Sequence, residues 1–232
     1  MTRTLIVAHG QPSDPGPAAR ALDRLAQAVA ALMPGHSIAA ATLAEPGAIA
    51  RGVAGQAGGL VFPMFMAGGW FTRVQIPARL AEVGATGWQV LEPFGCDPAV
   101  HDLCVDLARQ SGASQVILAA HGSSKAAAPS AIARHVAGRI ADQAGCAAVA
   151  GFIDQSPQLS SLTGFSLDAV CLPFFAAQGD HVGSDIPQAL AQAGFSGRIL
   201  PPVGLDARVP ALVAAAIARA KPACAGGCAW VA

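Results

Sequence analysis

Short apolar runs and amphipathic stretches alternate along this chain. Thr4 to Gly10 (TLIVAHG) is an apolar run closed by glycine, the pattern of a strand buried on both faces. Ala18 to Leu32 carries Leu22, Leu25, Val29 and Leu32 at helical spacing, and Pro34 and Gly35 stop it. Ser37 to Leu43 reads as a strand, Pro46 to Val53 as a short helix and Gly59 to Met66 as a strand. Ile76 to Val83 then reads as a helix, Trp88 to Glu92 as a strand and Ala99 to Gln110 as a helix. Such alternation implies right-handed βαβ crossovers and a parallel sheet.

The pattern then repeats. QVILAAHGSS (Gln115 to Ser124) matches TLIVAHGQPS, and VCLPFFAAQGDHVGSDIPQALAQAG matches VFPMFMAGGWFTRVQIPARLAEVG. ILPPVGLDARV (Ile199 to Val209) matches VLEPFGCDPAV. Three matches in one order, each at a strand end and about 110 residues apart, mark an internal duplication. The expected fold class is therefore α/β, two similar lobes, each a parallel sheet flanked by helices. A boundary near Gly112 gives lobes 1–112 and 113–221, with a cysteine-containing tail at 222–232.

Composition narrows the function classes. Of 232 residues, 53% are hydrophobic, enough for a sizeable core, yet no apolar run reaches the roughly 20 residues of a membrane span. The apolar run at the start, Leu5 to Ala8, is too short for a secretory signal, so the cytoplasm is the expected location. Lys+Arg and Asp+Glu are both 14, a balance that argues against a nucleic-acid partner. The six cysteines are scattered and read mostly as reduced core residues; Cys224 and Cys228, spaced C-x3-C, fit the usual zinc or redox pairs poorly.

Polar residues at strand ends carry the chemistry. In open α/β sheets ligands bind beyond the carboxyl ends of the strands, where side chains distant in sequence meet. The second lobe puts His121, Asp154 and His181 there, Asp154 closing the strand Ala148–Ile153. Two imidazoles and a carboxylate suit a divalent ion such as Fe²⁺, Co²⁺, Ni²⁺ or Zn²⁺. The first lobe keeps His9, but Phe71 stands at the place of His181, and Thr42 or Leu43 at that of Asp154, with Glu45 out of register. Only the second lobe is expected to work as a centre. Met64, Met66, Trp70 and Phe71 give the first lobe an apolar, aromatic surface. Asp185 is open to two readings, a helix-start carboxylate or support for His181, and Asp180 is equally open. His36, His101 and His135 read as surface residues, and core is the ordinary reading of the Met64/Met66 and Phe174/Phe175 pairs.

These residues resemble the sirohydrochlorin chelatase family of the CbiX/SirB type, within the class II tetrapyrrole chelatases. The resemblance covers nearly the whole chain. It rests on LIVAHG, VILAAHGSS, the FID…P segment and, most specifically, LPFFAAQGDHVGSDIP. It implies chelatase-like lobes with flavodoxin-like layering. It also implies insertion of Fe²⁺, for siroheme, or Co²⁺, for a cobalamin precursor, into sirohydrochlorin without a nucleotide or other cofactor. The family's motif histidines fall on His121 and His181 and its acidic ligand, usually Glu, on Asp154. The macrocycle loses two pyrrole protons as it gains the metal, so His121 and His181 are expected to share proton acceptance and metal delivery, with Asp154 offsetting charge. The substrate's carboxylates call for Ser123, Ser124 and Lys125, with Arg73 from the first lobe and Arg208 as further cations, while Phe71 and His9 of the first lobe are expected to line the substrate site. The partners are sirohydrochlorin and the metal, with no membrane and no nucleic acid. A non-enzymatic metal or tetrapyrrole carrier on the same scaffold is the alternative, and a binder of another small anion a third reading.

Overall fold

A computed structural model describes residues 2–224 and Trp230. Two four-stranded, fully parallel sheets form. The first holds β1 (Arg3–Ala8), β2 (Ser37–Thr42), β3 (Gly58–Pro63) and β4 (Gly87–Val90) in the order β2-β1-β3-β4. The second holds β5 (Gln115–Ala120), β6 (Ala147–Phe152), β7 (Val170–Pro173) and β8 (Arg198–Ile199) in the order β6-β5-β7-β8. The shared order is the structural counterpart of the sequence repeat.

Helices cover the sheets: α1 (Pro15–Leu32), α2 (Ala48–Val53) and α3 (Ile76–Glu82), then α4 (Pro98–Ser111), α5 (Ala128–Gln143), α6 (Ile186–Gln192) and α7 (Val209–Arg219). Helix α1 starts with proline in its first turn and buries Leu22, Ala26 and Val29, one stripe at three- and four-residue spacing. Strands β1 and β5 lie inside their sheets, which is why Leu5–Val7 and Val116–Ala120 are apolar without alternation and fully buried.

The packing boundary differs from the expected one at Gly112. The first compact unit runs to Asp97 and takes back the chain from Ala207; the second is Pro98–Asp206 and includes Trp230. Each sequence repeat thus ends in a helix that belongs to the other repeat's compact unit: α7 packs on α1 within the first unit, and α4 on α5 and β7 within the second. The reason is the buried face of α4, where Val100, Leu103, Cys104 and Ala108 are hidden. Arg139 of α5 bonds Asp102 at 2.6 Å, and Arg109 bonds the Gln143 carbonyl at 3.0 Å. His101, expected on the surface, is fully buried on this helix, its ring 4.8 Å from that of Trp230 and 5.5 Å from that of His135. His135 is exposed; burial first, then the nearby Arg139 charge, moves its pKa below the usual histidine value.

The start of the tail is tied to the first sheet. Pro222 bridges Leu91 in antiparallel fashion, and the Ala223 amide bonds the Val90 carbonyl at 3.0 Å, extending the β4 edge. Cys224 is half-buried, and Cys228 lies outside the described residues. Cys96, Cys104 and Cys171 are buried, and burial pushes the Cys171 thiol up to about 12, so it packs rather than reacts. Among the described residues no helix is long and apolar enough to cross a membrane.

The third sequence repeat has a backbone cause. The Gly95 amide bonds the Phe65 carbonyl and the Gly204 amide the Phe175 carbonyl, both at 2.9 Å. A Cβ at Gly95 or Gly204 would sit 2.2 or 2.0 Å from a backbone oxygen, so only glycine fits. This clamp fixes the loop after the third strand of each sheet, the loop that leads to the candidate site.

Candidate active site

The site of the second unit begins where β5 ends. His121 is followed by Gly122 at φ +74°, a left-handed conformation in which a Cβ would strike the Gln155 side chain at 2.7 Å. The chain turns sharply there, and His121 Nδ1 lies 3.0 Å from the Gly122 carbonyl. A carbonyl only accepts, so Nδ1 is the donor and the neutral ring keeps its lone pair on Nε2.

His181 arrives from the other side of β5. After β7 the backbone stays bound to the sheet through the Phe174 amide, 2.7 Å from the Ala119 carbonyl. It then winds a π-helical turn, His181–Asp185, before α6. Such turns recur at functional positions because they re-aim side chains within a helix. The His121 and His181 rings meet edge to face, centroids 4.6 Å apart at 90°. Phe175, expected in the core, is half-buried with its ring 6.2 Å from that of His181, whereas Phe174 is buried as expected.

Asp154 follows β6, its amide 3.0 Å from the His121 carbonyl and its Oδ2 3.4 Å from His121 Nδ1. Asp185 Oδ2 lies 2.6 Å from His181 Nδ1. The four side chains are 42% to 51% exposed, open to an incoming ligand. The structure thus brings His121, His181 and Asp154 to one sheet edge, but Asp154 stands on the Nδ1 side of its histidine. Among the described residues no three His, Cys, Asp or Glu side chains are assembled as a ready metal cage.

Gln155 was missed in the sequence. Its Oε1 accepts the Ser123 amide at 2.7 Å and pins the turn after His121. Its signal was only its place, directly after Asp154 at a strand end. Ser123 Oγ accepts the Lys125 and Ala126 amides, both at 3.1 Å, so this hydroxyl shapes the turn and keeps only its proton to offer a ligand. Ser124 and Lys125 are exposed beside it.

The first unit repeats the frame. His9 Nδ1 is 2.9 Å from the Gly10 carbonyl, and the ring meets Phe71 edge-on, centroids 4.6 Å apart at 87°. Phe71 opens an equivalent π turn, Phe71–Gln75, and its ring lies 5.8 Å from that of Phe65. Strand register corrects one assignment. Ala8 faces Thr42 as Ala120 faces Phe152, and the Ala44 amide bonds the His9 carbonyl as Asp154 does that of His121. The counterpart of Asp154 is therefore Ala44, not Thr42 or Leu43, and Glu45 matches Gln155. Glu45 instead pairs with Arg51. Met64 is buried core and Met66 half-buried, while Trp70 (59% exposed) and Val74 stand open near Phe71, and Arg73 is exposed. Arg208 falls in the first unit, half-buried at the start of α7.

Comparison with known proteins bears on the family and the fold. The CbiX family model matches residues 115–220. Among solved structures, one described as CbiX, the terminal enzyme for biosynthesis of siroheme in denitrifying bacteria, is 44% identical, with a TM-score of 0.87; the match covers 94% of this chain and 99% of that one. SirB from Bacillus subtilis with Fe³⁺ superposes with a TM-score of 0.74 at 14% identity, over 95% of this chain and 96% of that one, a likeness of fold alone. SirB in complex with cobalt, from Bacillus subtilis subspecies spizizenii, matches at 15% identity and a TM-score of 0.68 over the same shares, again of fold alone. Among curated proteins none matches.

Proposed function

We infer the mechanism from one premise: the chain belongs to the CbiX family of sirohydrochlorin chelatases. It is a metal chelatase that inserts a divalent ion into sirohydrochlorin. The observation that carries the reading is the pair of imidazoles at one sheet edge, rings 4.6 Å apart, each with Nδ1 engaged.

Insertion exchanges two pyrrole protons for a dication. The site must therefore accept protons and hold a metal without keeping it. Neutral imidazole does both through one lone pair, and its affinity for Fe²⁺ and Co²⁺ suits transfer from water to macrocycle. His121 and His181 are the catalytic and metal-contacting residues. Asp154 adds negative charge beside His121, offsetting the dication as it arrives. The metal, Fe²⁺ or Co²⁺, is a substrate; no nucleotide or other cofactor takes part.

The macrocycle is flat and carries several carboxylates. Ser123, Ser124 and Lys125 bind those carboxylates on the second unit. The buried thiols Cys104 and Cys171 suit a reducing compartment, and the enzyme works in the cytoplasm.

The test is direct. Purified protein with sirohydrochlorin and Fe²⁺ or Co²⁺ should shift the tetrapyrrole absorption bands faster than a protein-free control. Binding without acceleration points to a carrier, and no binding at all removes the chelatase reading.

A further inference from the structure

The two histidines of the second unit have different partners on Nδ1. The hydrogen bond of His121 goes to the carbonyl of its own neighbour at 3.0 Å, as that of His9 does in the first unit, and the Asp154 carboxylate stands farther off at 3.4 Å. That contact belongs to the histidine-glycine turn and is kept whether or not chemistry follows. The partner of His181 is a carboxylate one helical step away, Asp185 Oδ2 at 2.6 Å. In the first unit both members change together: Phe71 stands for His181 and Gln75 for Asp185.

Among the described residues the Asp185 side chain has no other hydrogen-bond partner. It occupies the N-cap position of α6, yet its side chain makes no cap hydrogen bond there. The π turn keeps residues four apart on one face, so both of its ends carry the pair.

From these observations we propose that Asp185 is a positioning residue: it holds His181 in the Nδ1–H tautomer, fixes the ring against rotation and so keeps the Nε2 lone pair on the ring's opposite edge. This deepens the chelatase reading and rests on it for its kinetic arm only. A carboxylate accepting from Nδ1 also strengthens the imidazole as a donor through Nε2. A carbonyl partner does so less, so His181 is the better-fixed of the two donors. The Asp185→Asn replacement keeps the shape but lets the amide donate to Nδ1, which favours the opposite tautomer. In hydrolytic triads that change costs about 10⁴ in kcat with the geometry intact.

The experiment uses the full chain labelled with ¹⁵N-histidine. Long-range ¹⁵N–¹H correlation spectra at mildly alkaline pH separate the two tautomers, and His181 is assigned by the signal lost in His181→Ala. The expected wild-type signature is Nδ1–H. In Asp185→Asn it moves toward Nε2–H, the His121 signal stays, and kcat falls about 10- to 100-fold with KM for sirohydrochlorin little changed. Asp185→Glu restores the Nδ1–H signature and part of kcat. An Nε2–H signature in the wild type, or an unchanged one in Asp185→Asn, overturns the proposal whatever kcat does. Should Asp185→Asn not fold, the wild-type and Asp185→Glu spectra decide. A wild type that inserts no metal overturns the chelatase reading, while the spectra still decide the role of Asp185.

Discussion

The carboxyl edges of the two sheets are built alike and equipped differently. In each, a histidine closes the first strand, turns its Nδ1 to the next residue's carbonyl and meets a second ring edge-on at 4.6 Å. That second ring is His181 in one unit and Phe71 in the other. Two carboxylates flank the imidazoles of the second unit, and the first has Ala44 and Gln75 at those places. The histidine-glycine turn, the π turn and the edge-to-face packing are therefore features of the scaffold. What sets the second edge apart is His181, Asp154 and Asp185, all changed together in the first unit. A retained His9 is what the turn alone would keep.

The largest effect that this contrast predicts is on the histidines. His121→Ala or His181→Ala should slow metal insertion by about 10²- to 10⁴-fold, the usual contribution of a positioned proton acceptor. His9→Ala should cost far less in the same absorbance assay. Equal losses at His9 and His121 would erase the distinction between the edges. The reverse experiment sharpens it: Phe71→His with Gln75→Asp rebuilds the imidazole pair on the first unit. That variant should bind one further equivalent of Co²⁺, read from the metal's visible absorption in a titration.

Much of this was legible in the chain. Uniform apolar runs at Leu5–Val7 and Val116–Ala120 announced inner parallel strands, and the three repeated motifs announced equal sheets. His121 and His181 stood out because each follows a buried strand and precedes a turn. The helix exchange was not legible, because the repeat unit of the sequence, ending near Gly112, is not the unit of packing. Amphipathicity says that α4 buries a face, not against what, and so His101 was placed outside. The counterpart of Asp154 needed strand register, which a gap in the alignment hides. Gln155 was invisible because its role is to hold a backbone amide from another segment.

That hidden role gives the next prediction. Gln155→Ala leaves the Ser123 amide without its partner, a loss of about 1 kcal/mol. For a chain of this size that lowers the thermal midpoint by roughly 2–4 °C. It should also slow insertion several-fold by loosening the turn that carries His121. Glu45→Ala, at the matching place, breaks only an exposed ion pair with Arg51 and should change neither appreciably.

The smallest effect lies at the opposite edges. Asp168 accepts from the Ser114 hydroxyl at 2.6 Å and the Ser114 amide at 2.8 Å, and with Ser166 these bonds hold its pKa down to about 2. By strand register its counterpart is Gly58, which has no such tie. A depressed carboxylate stabilises the fold above its ordinary pKa, near 4, and that contribution fades as pH falls to about 2. Asp168→Asn should thus lower the midpoint slightly at neutral pH, and the gap to wild type should close between about pH 4 and pH 2. A gap that persists at pH 2 would remove the charged form as its cause.

The difference between the two edges is tested most directly by a crystal structure soaked in Co²⁺ and read by anomalous scattering. The account predicts metal within coordination distance of Nε2 of His121 and His181, and none beside His9 and Phe71. Metal beside His9 with the second edge empty would contradict it.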